Sequence, residues 1–175
     1  MILPPVRDPR LITVRRGGSL TDDDHRLLAL WAATCAERVL PLFEREQPDD
    51  PRPREAIEAV RAWTHGELPM MASRAAGGHA MGAARPLRGA ARLAAYAAGQ
   101  AACVPHVAEH DLGAAAYAIK AVRADRPGDA GDADAGRAER DWQRERLPAA
   151  VRDLVLEDQE RRDHLCWHVF SDPPV

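Results

Sequence analysis

The chain has 175 residues, with 24 lysines plus arginines against 27 aspartates plus glutamates and a formal net charge of −3. That length fits one domain with a substantial core, and the charge balance argues against a general nucleic-acid-binding protein, which usually carries a basic surface. Aromatic residues make up only 5% while alanine is abundant, so we expect closely packed helices with small residues where they cross.

Residues 1–18 form an arm rich in proline and arginine, and we assign residues 19–175 to one helical domain. Within the arm, the segment LITVRR is typical of a short extended strand. No second strand is evident to pair with it, so we expect the arm to pack on the helical body. The start of the chain lacks the hydrophobic core of a secretory signal, and no apolar run is long enough to span a bilayer. These features predict a cytoplasmic protein with no membrane partner.

The first two helices have clear boundaries in the sequence. Thr21 can cap a helix whose first turn holds three aspartates, and Pro41 should kink or end that helix. Apolar residues recur at helical spacing between these points. A loop over 48–53 follows, and we predict a second helix over about 53–65 that Gly66 ends.

Helices three and four are predicted over about 68–84 and 87–104, separated by Arg85 and Pro86. The third contains Gly77, Gly78 and Gly82, each of which weakens a helix by about 1 kcal/mol relative to alanine. Their benefit would be the close approach of a neighbouring backbone. The two segments are otherwise rich in alanine and are expected to be largely buried.

A fifth helix, over 105–123, is the centre of the predicted bundle. It is apolar nearly all round, which is typical of a buried helix. The residues at spacings of four and three form a polar stripe along it: His106, His110, Gly113, Tyr117 and Lys120. Asp111 is a competing cap that would cut the two histidines off this helix.

The rest of the chain is predicted as a flexible loop over 126–136, a sixth helix over about 137–146 and a seventh over about 149–162. The apolar tail after it, which holds Leu165, Trp167, Val169 and Phe170, should dock on the body. The fold class is therefore all-α, a single-domain bundle of about seven helices with an extended N-terminal arm.

A set of polar residues lies in the alanine-rich middle of the chain, and we predict it as the ligand-binding set: His79, Gln100, His106, His110, Tyr117 and Lys120. If the helices are neighbours, these side chains could converge on one cavity. The histidines and the tyrosine could act as general acids or bases and the lysine as a nucleophile, so the catalytic candidates are His79, His106, His110, Tyr117 and Lys120. The alternative is a structural polar network that fixes how the helices register.

The sequence shows no metal or cofactor motif. His106 and His110 are four residues apart, but no third ligand is evident, and HExxH, P-loop and GxGxxG patterns are absent. The three cysteines are far apart, without a CxxC pair, which indicates free thiols. We therefore predict no metal and no cofactor.

Five segments carry a resemblance to a known family over nearly the whole chain. They are DPRLITVRRGGSLTDDDHRLLALWAATCAERVLPLFE, DDPRPREAIEAVRAWTHGEL, GGHAMGAAR, HVAEHDLGAAAYAIKA and ERDWQRERLPAAVRDLVL. With these segments in this order the chain resembles the Imm-5-like immunity proteins, which are common in actinobacteria. The resemblance implies an all-α protein that neutralises a co-encoded toxin by binding it.

The function expected from this resemblance is that of a binding protein rather than an enzyme, with a cognate protein toxin as its partner. The family pattern also marks His79, His106, His110, Tyr117 and Lys120, whereas Gln100 stands where a histidine is expected. The alternative is a small-molecule-binding protein or an enzyme that uses the internal His/Tyr/Lys cluster. We expect a homo-oligomer, a dimer formed through an alanine-rich or tail-mediated surface, and no nucleic-acid partner.

Overall fold

The structure, a computed structural model, describes residues 3–126 and 129–172. Over these ranges the chain is an all-α bundle, as predicted, with seven α-helices, four short 3-10 turns and no β-strand. The helices are α1 (Asp22–Glu44), α2 (Arg52–Thr64), α3 (Met70–Ala84), α4 (Gly89–Cys103), α5 (His110–Asp125), α6 (Asp129–Glu145) and α7 (Arg152–Arg162).

Helix α4 lies at the centre of the bundle and contacts α1, α2, α3 and α5. Its inner face is almost entirely alanine, and these side chains are fully buried. The absence of large side chains lets helices approach closely. At the α3–α4 crossing, a Cβ added to Gly77 would lie 2.7 Å from the carbonyl oxygen of Gly99. Gly77 thus serves the close approach that was predicted for the glycines of α3, whereas Gly78 and Gly82 have open space or only ordinary contact beside them.

The start of α1 is capped as predicted, because the Thr21 hydroxyl accepts a hydrogen bond from the backbone N–H of Asp24 at 3.0 Å. Of the kink or end predicted at Pro41, the end is wrong, since α1 continues for three residues beyond it to Glu44. Pro41 is exposed on the outer side of the helix. The backbone N–H of Arg45 still bonds to the Pro41 carbonyl, so one further turn forms after the proline.

The N-terminal arm packs on the body, but the extended strand predicted for LITVRR is wrong. This stretch forms two 3-10 turns, Pro9–Leu11 and Val14–Arg16, and the only bridge joins Thr13 to Leu20 within the described residues. Leu11 is buried in the core. Because no neighbouring strand is available, the backbone satisfies its polar groups through local turns instead.

The predicted start of the fifth helix at residue 105 is also wrong, because α5 begins at His110. The carbonyl of Cys103 accepts hydrogen bonds from the N–H groups of His106 and Val107, which closes a turn after α4. His106 therefore lies in the turn between α4 and α5. The residue that flanks α5 is Glu109, and its carboxylate is engaged by Arg7 of the arm rather than by the helix end.

The flexible loop predicted over 126–136 is replaced by the start of α6, which begins at Asp129; residues 127 and 128 lie outside the described ranges. A carboxylate early in a helix is favourable, and Asp132 also accepts a hydrogen bond from Arg123 of α5 at 2.6 Å. The apolar tail docks on the body as expected, with Val169 and Phe170 buried.

Candidate functional site

Five of the six predicted ligand-binding residues form two groups near α5, and His79 belongs to neither group. His110 begins α5 and bonds to Gln100 of α4, and His106 lies in the turn just before it. Tyr117 and Lys120 lie further along α5 and contact the tail. His79 is exposed on α3. The residues therefore do not converge on one cavity, and they lie at separate places on the molecule.

The first place is the histidine groove, a cavity of about 550 Å³ between α3 and the turn before α5. Its polar lining consists of Arg74, Cys103, His106 and His110. The ring of His110 is fixed by a hydrogen bond of 2.7 Å between its Nδ1 and Gln100 Oε1.

Gly113 makes this bond possible. A Cβ at that position would lie 2.4 Å from Gln100 Oε1, so any larger residue would displace the amide. The polar stripe predicted on this helix therefore has a packing role at Gly113.

The electrostatics of the groove keep its two histidines and its cysteine uncharged near neutral pH. Burial lowers the pKa of His110 to about 4, and the nearby positive charges of His106 and Arg162 lower it further. The pKa of His106 is lowered by burial and then by Arg74 and Arg16. Burial raises the pKa of the Cys103 thiol. The groove thus offers two neutral imidazoles and a protonated thiol beside the Arg74 guanidinium.

One atom in the groove lacks a hydrogen bond. His106 Nδ1 is buried and has no partner among the described residues, whereas buried polar atoms are usually paired. The neighbouring His110 is already held by Gln100. A ligand group in the groove could therefore bond to His106. The groove is better suited to binding a ligand than to transferring protons.

The second place is the aromatic platform, formed by Tyr96, Tyr117, Trp167 and Lys120. The Tyr96 and Tyr117 rings stack with centroids 5.2 Å apart, and the Trp167 ring meets Tyr117 edge-on at 5.1 Å. The Lys120 ammonium lies 3.7 Å from the centroid of the Trp167 ring, a cation–π contact. Trp167 remains 43% exposed, so the outer face of the platform is open to solvent.

The platform is suited to binding rather than to acid–base chemistry. Burial raises the pKa of Tyr117, so its hydroxyl stays protonated at neutral pH. The pKa of Lys120 is lowered by burial and by Arg123, but the ammonium is already engaged by the tryptophan ring. The tyrosine and the lysine therefore act as ordered contact groups here.

Sequence reasoning missed a buried ionic cluster that holds the start of α5, formed by Glu109, Asp111, Asp158 and Arg162. All four residues are buried. The Arg162 guanidinium donates to Asp158 from Nε at 2.9 Å and to Asp111 from Nη2 at 3.3 Å. It also bonds to the backbone carbonyl of Glu109 at 2.8 Å.

The arm closes this cluster from outside. Arg7 donates to both carboxylate oxygens of Glu109, from Nε at 2.8 Å and from Nη2 at 2.5 Å. The spacing of Asp158 and Arg162, four apart on one helix, was a visible signal for an ion pair. Nothing in the sequence indicated that this pair lies in the core.

The burial of Asp111 has an electrostatic consequence. Burial raises its pKa to about 7, although the positive charge of Arg162 opposes the rise. Asp111 Oδ2 has no hydrogen-bond partner among the described residues. The residue next to His110 is thus a carboxylate that titrates near neutral pH.

Neither a metal centre nor a membrane span was found in the part of the chain that the structure describes. There, no three His, Cys, Asp or Glu side chains are grouped so that they could hold a metal ion. No helix in this part is long and apolar enough to cross a bilayer.

Comparison with known protein families gives a match over most of the chain. The model of the family described as "Imm-5 like putative immunity protein" matches residues 18–150, which is most of the chain. The matched range begins at the end of the arm, contains α1 to α6, and ends before α7. No curated protein and no solved structure gives a significant match.

Proposed function

Because the chain belongs to the family of Imm-5 like immunity proteins, we propose that it binds a protein toxin and blocks it by occupying the toxin's surface. A protein that acts in this way needs a stable scaffold and an ordered surface that presents a few strong contact residues. The alanine-rich bundle supplies the scaffold, and the aromatic platform is the surface that supports the proposal best.

The observation that carries the proposal is the exposed Trp167 of the platform. Tryptophan, tyrosine and arginine dominate the residues that contribute most to protein–protein binding. Here the tryptophan ring meets Tyr117 edge-on, and the Lys120 ammonium lies over its face. A ring ordered before binding loses little conformational freedom on association, which favours affinity.

The backbone supports the same interpretation. Trp167 and the next residue, His168, have φ angles of 59° and 55°, in the left-handed region that residues with a Cβ rarely adopt. Strained conformations persist where the surroundings enforce them, and they are concentrated at functional sites. In this protein the left-handed turn directs the tryptophan ring onto α5 while one face stays exposed.

An acidic surface complementary to a basic toxin would be a second route to binding, but the platform does not have that character. The cations at its rings are Lys120 and, against the Tyr96 ring, Arg92 at 5.4 Å. The nearby Asp132 is paired with Arg123. The surface is therefore aromatic and cationic, and it suits a toxin face that carries carboxylates and apolar side chains.

The test is co-expression with the toxin candidate encoded beside the gene for this chain, followed by purification of the complex. We expect the wild-type chain to restore growth and to form a stable complex. Trp167→Ala should weaken binding by roughly 2 kcal/mol or more, about thirtyfold, as at other contact residues of this kind.

A matched control is available on α6. Trp142 is also a half-buried tryptophan with cation–π contacts, from Arg38 at 4.1 Å and Arg146 at 4.0 Å. Trp142→Ala should leave binding unchanged. If Trp142→Ala impaired binding and Trp167→Ala did not, the platform would be the wrong surface. If the wild-type chain neither rescued growth nor formed a complex, toxin neutralisation itself would be wrong.

The alternative of a single His/Tyr/Lys ligand site loses support because these residues divide between two places. Ligand binding by the histidine groove alone remains a second proposal, favoured by the unpaired His106 Nδ1. Dimerisation also remains a proposal, and sedimentation of the purified chain would test it.

A further inference from the structure

A second cavity, the basic cleft, opens on the side of the molecule where the arm meets the bundle. Its volume is about 360 Å³, and it is lined by the arm, the first turns of α1, the end of α2 and the turn before α5. It shares His106 and Val107 with the histidine groove and no residue with the aromatic platform. The size is within the range of small-molecule sites.

The lining of this cleft is strongly basic. Four arginines contribute to it, Arg7, Arg15, Arg16 and Arg26, against one acidic residue, Asp22. The whole chain has the opposite balance, with 24 basic and 27 acidic residues. Positive charge is therefore concentrated here in a protein that is negative overall, and a cleft of this kind attracts anions.

These arginines differ in how tightly their hydrogen-bond and ion-pair partners bind them. Arg7 is committed to the buried Glu109. Arg15 and Arg26 pair with Asp22 and Asp23, but all four side chains are at least 46% exposed, and ion pairs of this kind contribute little. Arg16 donates to the backbone carbonyl of His106 at 3.2 Å. Arg15, Arg16 and Arg26 can thus turn toward an anion at small cost.

The remaining wall of the cleft is aromatic and neutral. Trp63 lies there, and the His25 ring meets it edge-on with centroids 5.0 Å apart. His25 Nε2 is held by the Val104 carbonyl at 2.8 Å, and burial lowers the pKa of this histidine, so its ring is uncharged at neutral pH. A flat apolar group could pack against Trp63 while an attached anion meets the guanidinium groups.

We propose that the basic cleft binds a small organic molecule that carries an oxyanion, a carboxylate or a phosphate, next to a flat ring. Guanidinium groups match the geometry of both oxyanions and hold them with paired, charge-assisted hydrogen bonds. This site is independent of the toxin-binding proposal.

Calorimetric titration of the full chain at low salt tests the site with four probes: phenyl phosphate, benzoate, inorganic phosphate and phenol. We expect saturable binding of phenyl phosphate or benzoate at one site, and weaker binding of both inorganic phosphate and phenol. The tighter of the two aromatic anions identifies the oxyanion. Arg16→Ala should weaken its binding roughly tenfold, the effect of losing a charged hydrogen bond.

The control is Arg88→Ala. Arg88 is likewise exposed, and its guanidinium likewise donates to a backbone carbonyl, that of Leu87, but it lies away from the cleft. This variant should bind as the wild type does. If Arg16→Ala lost helical content by circular dichroism, Arg26→Ala would take its place, with the same expected loss.

Two results would overturn the proposal. One is the absence of saturable binding by both aromatic anions. The other is an equal loss of affinity in the cleft variant and in Arg88→Ala, which would indicate nonspecific attraction to a charged surface.

Discussion

Two consecutive residues at the platform, Trp167 and His168, adopt left-handed backbone angles although neither is glycine. This conformation costs roughly 1–2 kcal/mol per residue. His168 gains little in return, since its side chain is exposed and its Nδ1 lies 3.4 Å from the Asp163 carboxylate. The side chain of His168 therefore does little to offset the strain, and the bond from its backbone N–H to the Asp163 carbonyl does not depend on that side chain.

We expect His168→Gly to stabilise the protein by roughly 0.5–1 kcal/mol, because glycine adopts a positive φ at no steric cost. Urea unfolding would measure the change. His164→Gly is the control, since His164 lies in the 3-10 turn Asp163–Cys166 and does not have a positive φ. That variant should destabilise the protein. A loss of stability in both variants would contradict the strain argument.

Residue-scale inferences from sequence succeeded where the interaction is local. The Thr21 cap involves a partner three residues away, and the structure confirms it. The position of His106 depended on which residue starts α5, and this was decided by distant groups. Arg7 of the arm and Arg162 of α7 both bind Glu109, at positions that no local pattern could relate to it.

At the scale of elements, the crossing of α3 and α4 is a close backbone approach that a glycine makes possible. Gly77 faces the Gly99 carbonyl, and a Cβ there would also lie 3.0 Å from Cys103 Sγ. Gly78, the next residue on the same helix, has no atom of another element within 4 Å of its added Cβ. Substitutions at these two neighbouring residues therefore distinguish the effect of packing from the effect of helix propensity.

Gly77→Ala should destabilise the protein by about 1–3 kcal/mol, because the added methyl group overpacks the crossing against backbone that cannot move aside. Gly78→Ala should stabilise it by up to about 1 kcal/mol through helix propensity alone. Thermal or urea unfolding of both variants provides the measurement. Stabilisation by both substitutions would indicate that the two helices lie further apart.

Helix positions were predictable wherever apolar residues repeat at helical spacing, as in α1 to α4. The exception is α6, whose first turns over 129–136 read as a loop because they are rich in glycine and aspartate. Tertiary contacts override that composition. Asp132 pairs with Arg123, and Gly136 leaves room for the Arg123 side chain, which lies 2.9 Å from an added Cβ.

At the scale of the whole molecule, His110 and Asp111 give the stability opposite dependences on pH. The pKa of His110 falls from 6.5 to about 4 on folding, mainly through burial. Between these values the unfolded chain binds more protons, so this residue makes stability rise with pH. The pKa of Asp111 rises from 3.8 to about 7, again mainly through burial, so over that range the folded chain binds more protons and stability falls with pH.

We therefore expect the two contributions to oppose each other below pH 6.5. In Asp111→Asn, the free energy of unfolding should rise more steeply with pH than in the wild type. In His110→Gln, it should rise less steeply with pH than in the wild type, because the opposing contribution of Asp111 remains. Urea unfolding at a series of pH values measures both slopes. Parallel profiles for all three proteins would contradict the assigned titrations.

The site could be predicted in part. The stripe from His110 to Lys120 does lie along one helix, since its spacing follows directly from helical geometry. Its division into a groove and a platform could not be foreseen, because it depends on where the tail residue Trp167 packs. The buried Asp111–Arg162 pair joins residues 51 positions apart in the chain, and its contact arises only from the packing of the helices.

The four tryptophans of this chain occupy four different environments: Trp31 in the core, Trp63 in the basic cleft, Trp142 between two arginines, and Trp167 on the aromatic platform. The cleft and the platform therefore each contain their own intrinsic fluorophore. In variants that keep only one tryptophan, with the other three replaced by phenylalanine, emission and acrylamide quenching would report occupancy of the cleft from Trp63 or of the platform from Trp167. No external dye would be needed, and each binding event could be followed in its own variant.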